Sequence, residues 1–416
     1  MYALIDCNRM YASCERIFRP DLRDKPIVIL SNNDGTVVTL TKEAQALGVP
    51  KFSPYFKIKE LCEQNNIHVF SSNYELYGDV SASIMSIISS EAPDISIYSI
   101  DEAFADFRNC PTIELRTKAT HIKERLWREA RMPVCVGIGK SKTLAKLANH
   151  IAKKHPKSNG VCCLDDDIQI SRWLKKFSIN EVWGIGKQIT KRLNDMSIFT
   201  AYDLANANLK HLRSQISVNV ERTARELLGE ACLPFHETVA NKKQIVVSRS
   251  FSKKVTDKSE LLEATANYAA KAAEKLRKQR GMVQAMVVCA HSSIHQPNYA
   301  YHQKLVAFPA PTSDSNLIIS SCSNAVNELF RPGVRYSKAM VMFVDIVEKD
   351  SFQLDMLSPG DTTKSIELMK LIDGLNINNQ NNISIGRQGI KKDWSMKRQL
   401  MSPCYTSKWS DLPKIG

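Results

Sequence analysis

The chain has 416 residues, too many for one ordinary domain, and its composition of 43% hydrophobic and 24% charged residues is that of a core-forming globular protein rather than a disordered one. It contains no apolar run of about 18 residues, which excludes a helical membrane span. The net charge of +14 is uneven, −6 over residues 1–115 but +10 over 116–160 and +7 over 241–350, so cations and a polyanion such as nucleic acid are the partners to consider first.

The opening "MYALIDCNRMYASCE" predicts a strand over 2–7 and a helix starting near 11. It lacks the basic start and long apolar core of a signal peptide, so a cytoplasmic protein is expected. Eleven cysteines occur without a C-x-x-C pair, the pattern of reduced thiols rather than of a disulfide or zinc framework. "KPIVILS" (25–31) predicts a strand, and "TKEAQALG" (41–48) a helix closed by Gly48. "ISIYSIDEAFADF" (95–107) reads as strand, turn, strand, with Asp101 and Glu102 adjacent at the turn. A basic amphipathic helix is predicted over 112–131 and a buried strand over 132–139. A second basic helix follows over 140–154, stopped before Pro156. Such alternation predicts an α/β or α+β first part.

After an acidic loop "LDDDIQ" (164–169) the pattern reads as helical through about residue 230, and "VWGIGKQITKRL" (182–193) places a Gly-x-Gly turn at the start of a basic helix. Strands over 245–251, 282–291 and 338–347 then alternate with helices over 258–280 and 314–330. The order suggests a separate β-α-β-β-α-β-like sheet domain. "NINNQNN" (376–382) has the composition of a linker or mobile loop.

The acids pose the chemical question. Asp6 ends the first strand, while Asp101 and Glu102 sit at a turn, where neighbouring side chains are free to converge. If the first strand pairs beside that hairpin, three carboxylates meet. Hard oxygen donors of this kind suit Mg²⁺, and a pair of such ions can clamp a displacement at phosphorus. Spacing alone does not separate a polymerase from a nuclease or a cyclase.

The segments "ALIDCNRMYASCE", "SSNYELYGDVS", "YSIDEAFADF" and "GIGKSKTLAKLANHIAKK" resemble the Y-family translesion DNA polymerases, and within them the UmuC-type branch with its plasmid and mobile-element relatives. "VWGIGK", "ERTARELLGE", "SRSF", "AAEKLR" and the tail "WSMKRQLMSPCYTSKWSDL" (394–412) extend the similarity over nearly the full length. The resemblance implies an α+β right-hand polymerase. Its parts would be a palm (1–18 and 77–164), small fingers (19–76), a helical thumb with a helix-hairpin-helix (165–238), a little finger (243–349) and a C-terminal tail (350–416). It implies error-prone, template-directed DNA synthesis in the SOS response, without proofreading. Asp6, Asp101 and Glu102 would be the catalytic metal ligands, joined by the main-chain carbonyl of Cys7, and would hold two Mg²⁺ ions.

Tyr11 would be the steric gate, a flat ring that leaves no room for a 2′-hydroxyl. Thr39 and Lys153 match family positions that grip the triphosphate. The sequence departs from the wider family at Lys42 and Gln45, where a tyrosine and an arginine are usual, and Lys42 would act there as a point charge. The Gly184–Ile185–Gly186 turn with Lys187 and Lys191 resembles a DNA-phosphate site, and Arg249 and Lys253 fall on a strand resembling the template-tracking edge of the little finger. "QLDML" (353–357) resembles a sliding-clamp-binding pentapeptide, with Gln353 at a pocket rim and Leu354, Met356 and Leu357 filling it. The implied partners are primer-template DNA, deoxynucleoside triphosphates, a UmuD-type dimer, RecA and the clamp. A non-catalytic DNA-binding factor on the same fold is the rival class, and it predicts a damaged acid triad.

Overall fold

The computed structural model describes residues 1–236, 240–348, 360–378, 383–390 and 393–413. These fall into two units, Met1–Thr238 with Gln399–Gly416, and Val239–Arg398. All eleven cysteines are free thiols.

The first unit begins with β1 (Tyr2–Cys7), α1 (Met10–Phe18), β2 (Ile27–Leu30), β3 (Val37–Leu40), α2 (Lys42–Ala46), α3 (Tyr55–Gln64) and β4 (His68–Ser71). It continues through α4 (Tyr74–Glu91), β5 (Ile95–Ile97), β6 (Glu102–Asp106), α5 (Thr112–Ala130), β7 (Val134–Gly139), α6 (Lys142–Lys154) and β8 (Val161–Leu164). A five-stranded sheet has the order β5-β6-β1-β7-β8, and a small sheet the order β3-β2-β4. The first strand does pair beside the acidic hairpin. β1 runs antiparallel to both β6 and β7, with Asp6 opposite Glu102 on one side and Cys135 on the other. Every residue of β1 and β7 is buried, as expected for interior strands covered on both faces.

α6 lies close on β7 because Gly137 and Gly139 have no side chain there. A Cβ on Gly137 would stand 2.1 Å from the Asn149 backbone nitrogen, and one on Gly139 would stand 2.7 Å from that of Ala145. Asn149 Nδ2 donates to the carbonyls of Leu4 (3.2 Å) and Cys135 (2.7 Å), which fixes the helix across two strands. Beyond β8 come α7 (Asp167–Leu174), α8 (Lys187–Asp195), α9 (Ala201–Ala205), α10 (Leu209–Gln215) and α11 (Val218–Leu227) around their own apolar cluster.

The second unit comprises β9 (Ile245–Val255), α12 (Lys258–Lys278), β10 (Gly281–His291), β11 (Tyr301–Thr312), α13 (Ser315–Leu329), β12 (Tyr336–Glu348) and α14 (Thr363–Asn378). The expected β-α-β-β-α-β order is present. Its third strand, Tyr301–Thr312, carries a mostly exposed first half and two prolines, which hid it from pattern reading. The sheet order is β11-β10-β12-β9, backed by α12 and α13. α14 extends to Asn378, into the first residues of the polar run expected as a linker, whose remainder lies outside the described residues. The clamp-like residues Gln353, Leu354, Met356 and Leu357 also lie outside them. Trp394 is buried in the core of this unit, whereas residues from Gln399 onward belong to the first.

Candidate active site

The C-terminal end of β1 and the N-terminal end of β6 open into a cleft of about 1140 Å³. Its walls include Asp6, Asp101, Glu102, Tyr11, Thr39, Lys42 and Lys153, so seven residues singled out from sequence meet in one place. Antiparallel pairing is the reason, because Asp6 and Glu102 are register partners on adjacent strands. The Cys7 amide, donating to the Asp101 carbonyl at 2.8 Å, holds the turn against β1.

Asp6 is only 5% exposed. Burial pushes its carboxyl up to about 7; Lys153 opposes the rise and the neighbouring Glu102 adds to it. At Glu102 burial also disfavours the charge, but bonds to Asp6 and Lys146 outweigh it and hold the carboxyl below its usual range. Two carboxylates side by side repel, and Asp6, the more deeply buried, gives way. Each has a cation in contact. Lys153 Nζ lies 2.5 Å from Asp6 Oδ1, and Lys146 Nζ lies 2.7 Å from Glu102 Oε2. Lys146, Asn149 and Lys153 recur at helical spacing on α6, so one helix face supplies both ammonium groups and the amide that anchors the helix. Lys146 also lies 4.4 Å above the Tyr98 ring and 5.1 Å from that of Trp183. Asp101 is turned toward Ser99, whose hydroxyl donates to Oδ1 at 2.5 Å. Among the described residues, no three His, Cys, Asp or Glu side chains are gathered closely enough to enclose a metal ion. The donor set is nonetheless one of hard oxygens at the mouth of a cleft, which fits Mg²⁺ better than any softer ion.

Tyr11 lies on the first turn of α1, half-buried, with its ring stacked on Tyr77 (centroids 4.5 Å apart, 12° between planes) and edge-on to Tyr74. Thr39 is on β3, and Lys42 is the exposed first residue of α2, capped by Thr41. Two contributors escaped sequence reading. One is Lys146, which the seven-residue spacing from Lys153 on a basic helix signals. The other is Arg9, left-handed at φ 51° before α1, whose guanidinium bonds the Leu40 carbonyl and Gln45 Oε1. Gln45, where the wider family pattern has an arginine, thus engages a cation supplied by a different strand end.

Away from the cleft, Gly184 adopts φ +85°, a conformation that a side chain would strain, and Gly186 precedes α8 in extended form. Lys187 and Lys191 are exposed on α8. In the second unit Arg249 and Lys253 are exposed on the edge strand β9, and Lys253 pairs with Glu260 at 2.8 Å. Burial lowers the Lys275 ammonium from its usual value, and Arg249, Lys242 and Lys271 nearby lower it further, so these four cations are clustered. No helix among the described residues is long and apolar enough to cross a membrane.

Residues 5–150 match the model of the impB/mucB/samB family, 242–356 that of its C-terminal domain, and 366–415 a domain of unknown function, DUF4113. The chain is 40% identical to Protein UmuC of Salmonella typhimurium strain LT2 over 424 residues, covering 100% of both. It is 26% identical to DNA polymerase IV 1 of Bacillus subtilis, over 95% of this chain and 93% of that one. Among solved structures, a Y-family DNA polymerase chimera of Dbh and Dpo4 superposes with a TM-score of 0.66 at 20% identity, over 84% of this chain and 99% of the chimera; that likeness is one of fold.

Proposed function

This chain belongs to the impB/mucB/samB family, the UmuC-type branch of the Y-family polymerases, and from that membership we propose how its cleft works. It is a DNA-directed DNA polymerase of the error-prone, SOS-associated translesion kind. In the proposed reaction a primer 3′-hydroxyl attacks the α-phosphate of a paired deoxynucleoside triphosphate, and pyrophosphate leaves.

Asp6, Asp101, Glu102 and the Cys7 carbonyl would hold two Mg²⁺ ions. When bound, these supply charge neutralisation for the triphosphate and a lowered pKa for the attacking hydroxyl. Lys153 and Lys146 are paired with the same carboxylates, Lys153 with Asp6 and Lys146 with Glu102. Lys153 would reach the phosphates, joined by Lys42 and Arg9, which line the same cleft. Thr39 adds a hydroxyl there. Tyr11 offers its ring under the sugar and excludes a 2′-hydroxyl. The residues 1–18 with 77–164 act as palm, 19–76 as fingers, 165–238 as thumb and 243–349 as little finger. Gly184, Gly186, Lys187, Lys191, Arg249 and Lys253 contact DNA backbone, which suits a polymerase because such contacts carry no base sequence. The tail with Gln353, Leu354, Met356 and Leu357 engages a sliding clamp, and a UmuD-type dimer and RecA complete the working assembly.

The observation that carries this reading is the meeting of Asp6 and Glu102 as strand partners in a cleft that also holds Tyr11 and Lys153. Primer extension with Mg²⁺, with and without the partner proteins, tests it. Template-dependent lengthening is expected, and it is lost in Asp101→Ala. A nuclease would shorten the primer, and a non-catalytic factor would leave it unchanged. Tyr11→Ala is expected to increase ribonucleotide insertion; unchanged sugar preference would remove the gate assignment.

A further inference from the structure

Residues 399–413 fold against the first unit, where β4, α1 and α4 meet. Met401 forms a parallel bridge with Ser71 at the end of β4. The Ser71 amide donates to the Leu400 carbonyl at 3.0 Å, and the Leu400 amide donates to Ser71 Oγ at 2.9 Å. Asn73 caps α4 with its side-chain oxygen, while its Nδ2 donates to Ser402 Oγ at 3.0 Å and to the Ser402 carbonyl at 3.3 Å. The "SSNYELY" motif is therefore the docking place of the chain's own C-terminal segment.

From there a buried chain of contacts leads to the cleft. Ser402 Oγ donates to Glu15 Oε1 at 3.2 Å, and the Tyr77 hydroxyl donates to the same oxygen at 2.7 Å. Glu15 is 0% exposed, and its Oε2 has no partner among the described residues. The Tyr77 ring is the one stacked on Tyr11. At the far end of α1, Phe18 stacks on Tyr405 with centroids 4.7 Å apart and 11° between planes. Tyr11, Glu15 and Phe18 recur at i, i+4 and i+7, so one face of α1 meets the cleft at one end and the C-terminal segment at the other.

We infer that the C-terminal segment positions the sugar-selecting ring: Ser402 and Tyr405 hold Glu15 and Phe18, Glu15 holds Tyr77, and Tyr77 sets the plane of Tyr11. The inference rests on reading Tyr11 as the gate. An aromatic stack restrains a ring only as well as its support is itself fixed. A hydroxyl bonded to a fully buried carboxyl is such a support, because leaving either group unpaired there is costly. Ser402 and Tyr405 are positioning residues, since neither lines the cleft.

The test is single-nucleotide insertion by the full chain, with a deoxynucleotide and its matching ribonucleotide. Ser402→Ala is expected to lower the preference for the deoxynucleotide roughly three- to tenfold, the effect of about one hydrogen bond. The kcat for the deoxynucleotide should stay within about twofold, the change falling on KM. Tyr405→Ala acts in the same direction; if it fails to fold, Ser402→Ala carries the test. Ser402→Thr, which keeps the hydroxyl, restores the preference. Adding Ser402→Ala to Tyr11→Ala produces no further loss, since both act through one ring. An unchanged preference in folded Ser402→Ala, or an additive loss in the double variant, overturns the inference while a relaxed Tyr11→Ala keeps the gate. An unchanged preference in Tyr11→Ala overturns both.

Discussion

Asp6, Glu102 and Glu15 are three buried or half-buried acids whose surroundings treat them differently. The first two have ammonium groups in contact, and the third has, among the described residues, hydroxyl donors alone. Lys153 should therefore matter more to substrate binding than to folding. Lys153→Ala is expected to raise KM for the incoming nucleotide roughly tenfold, about the worth of one charge-assisted bond, with a smaller change in kcat. Steady-state insertion kinetics check it, and an effect confined to kcat would count against a phosphate role. Glu15 has a carboxyl that burial pushes above its usual value, with the bonds from Tyr77 and Ser402 opposing. The folded protein thus holds a proton that the unfolded chain releases near pH 4.3. The contribution of Glu15 to stability is fully present below that value and is lost as pH rises through the raised folded value. Glu15→Gln removes this dependence. Urea unfolding between pH 4.5 and 7.5 should show wild type losing stability relative to the variant, and a constant difference would contradict it. At this scale the sequence made the acids visible, because adjacent carboxylates in an apolar run are costly without a cation. Their lysine partners, about 45 and 150 residues away, were not visible as partners.

Among the elements, the α6–β7 contact decides whether the lysines reach the acids at all. Gly137 and Gly139 have ordinary backbone angles and are needed for closeness, not for a turn. Gly137→Ala would drive a methyl into the backbone of α6, and a loss of about 3 kcal/mol is expected by denaturant unfolding. Gly78, inside α4 with open space around it, is the control: Gly78→Ala should be neutral or stabilise by up to about 1 kcal/mol. Most strands and helices were legible from apolar periodicity and capping residues. β1 over 2–7 and α6 ending before Pro156 follow from such signals. β11 was not, because an exposed edge strand with prolines lacks the alternation that marks a half-buried one. The register that sets Asp6 against Glu102 was legible only as a condition, since pairing joins segments nearly a hundred residues apart.

Over the whole molecule, charge is the property most directly set by the sequence, and its effect on DNA binding is measurable. Replacing both Lys187 and Lys191 with alanine should weaken binding to all sequences alike and reduce the log–log salt slope by about two. A sequence-dependent loss would argue against phosphate contact. The last residues bear on the same scale. Trp394 packs in the core of the second unit, while Ser402 and Tyr405 are buried in the first, so the segment matched by the domain of unknown function contributes to both cores. The sequence alone determined most of the elements, the charge blocks, the motifs and the acids in search of a cation, because these depend on neighbours along the chain. Only the tertiary structure decided that Asp6 faces Glu102, that α6 brings two lysines to them, and that Ser402 reaches Glu15 from 387 residues away. Those contacts rest on strand register and close backbone approach, which local preferences permit but do not specify.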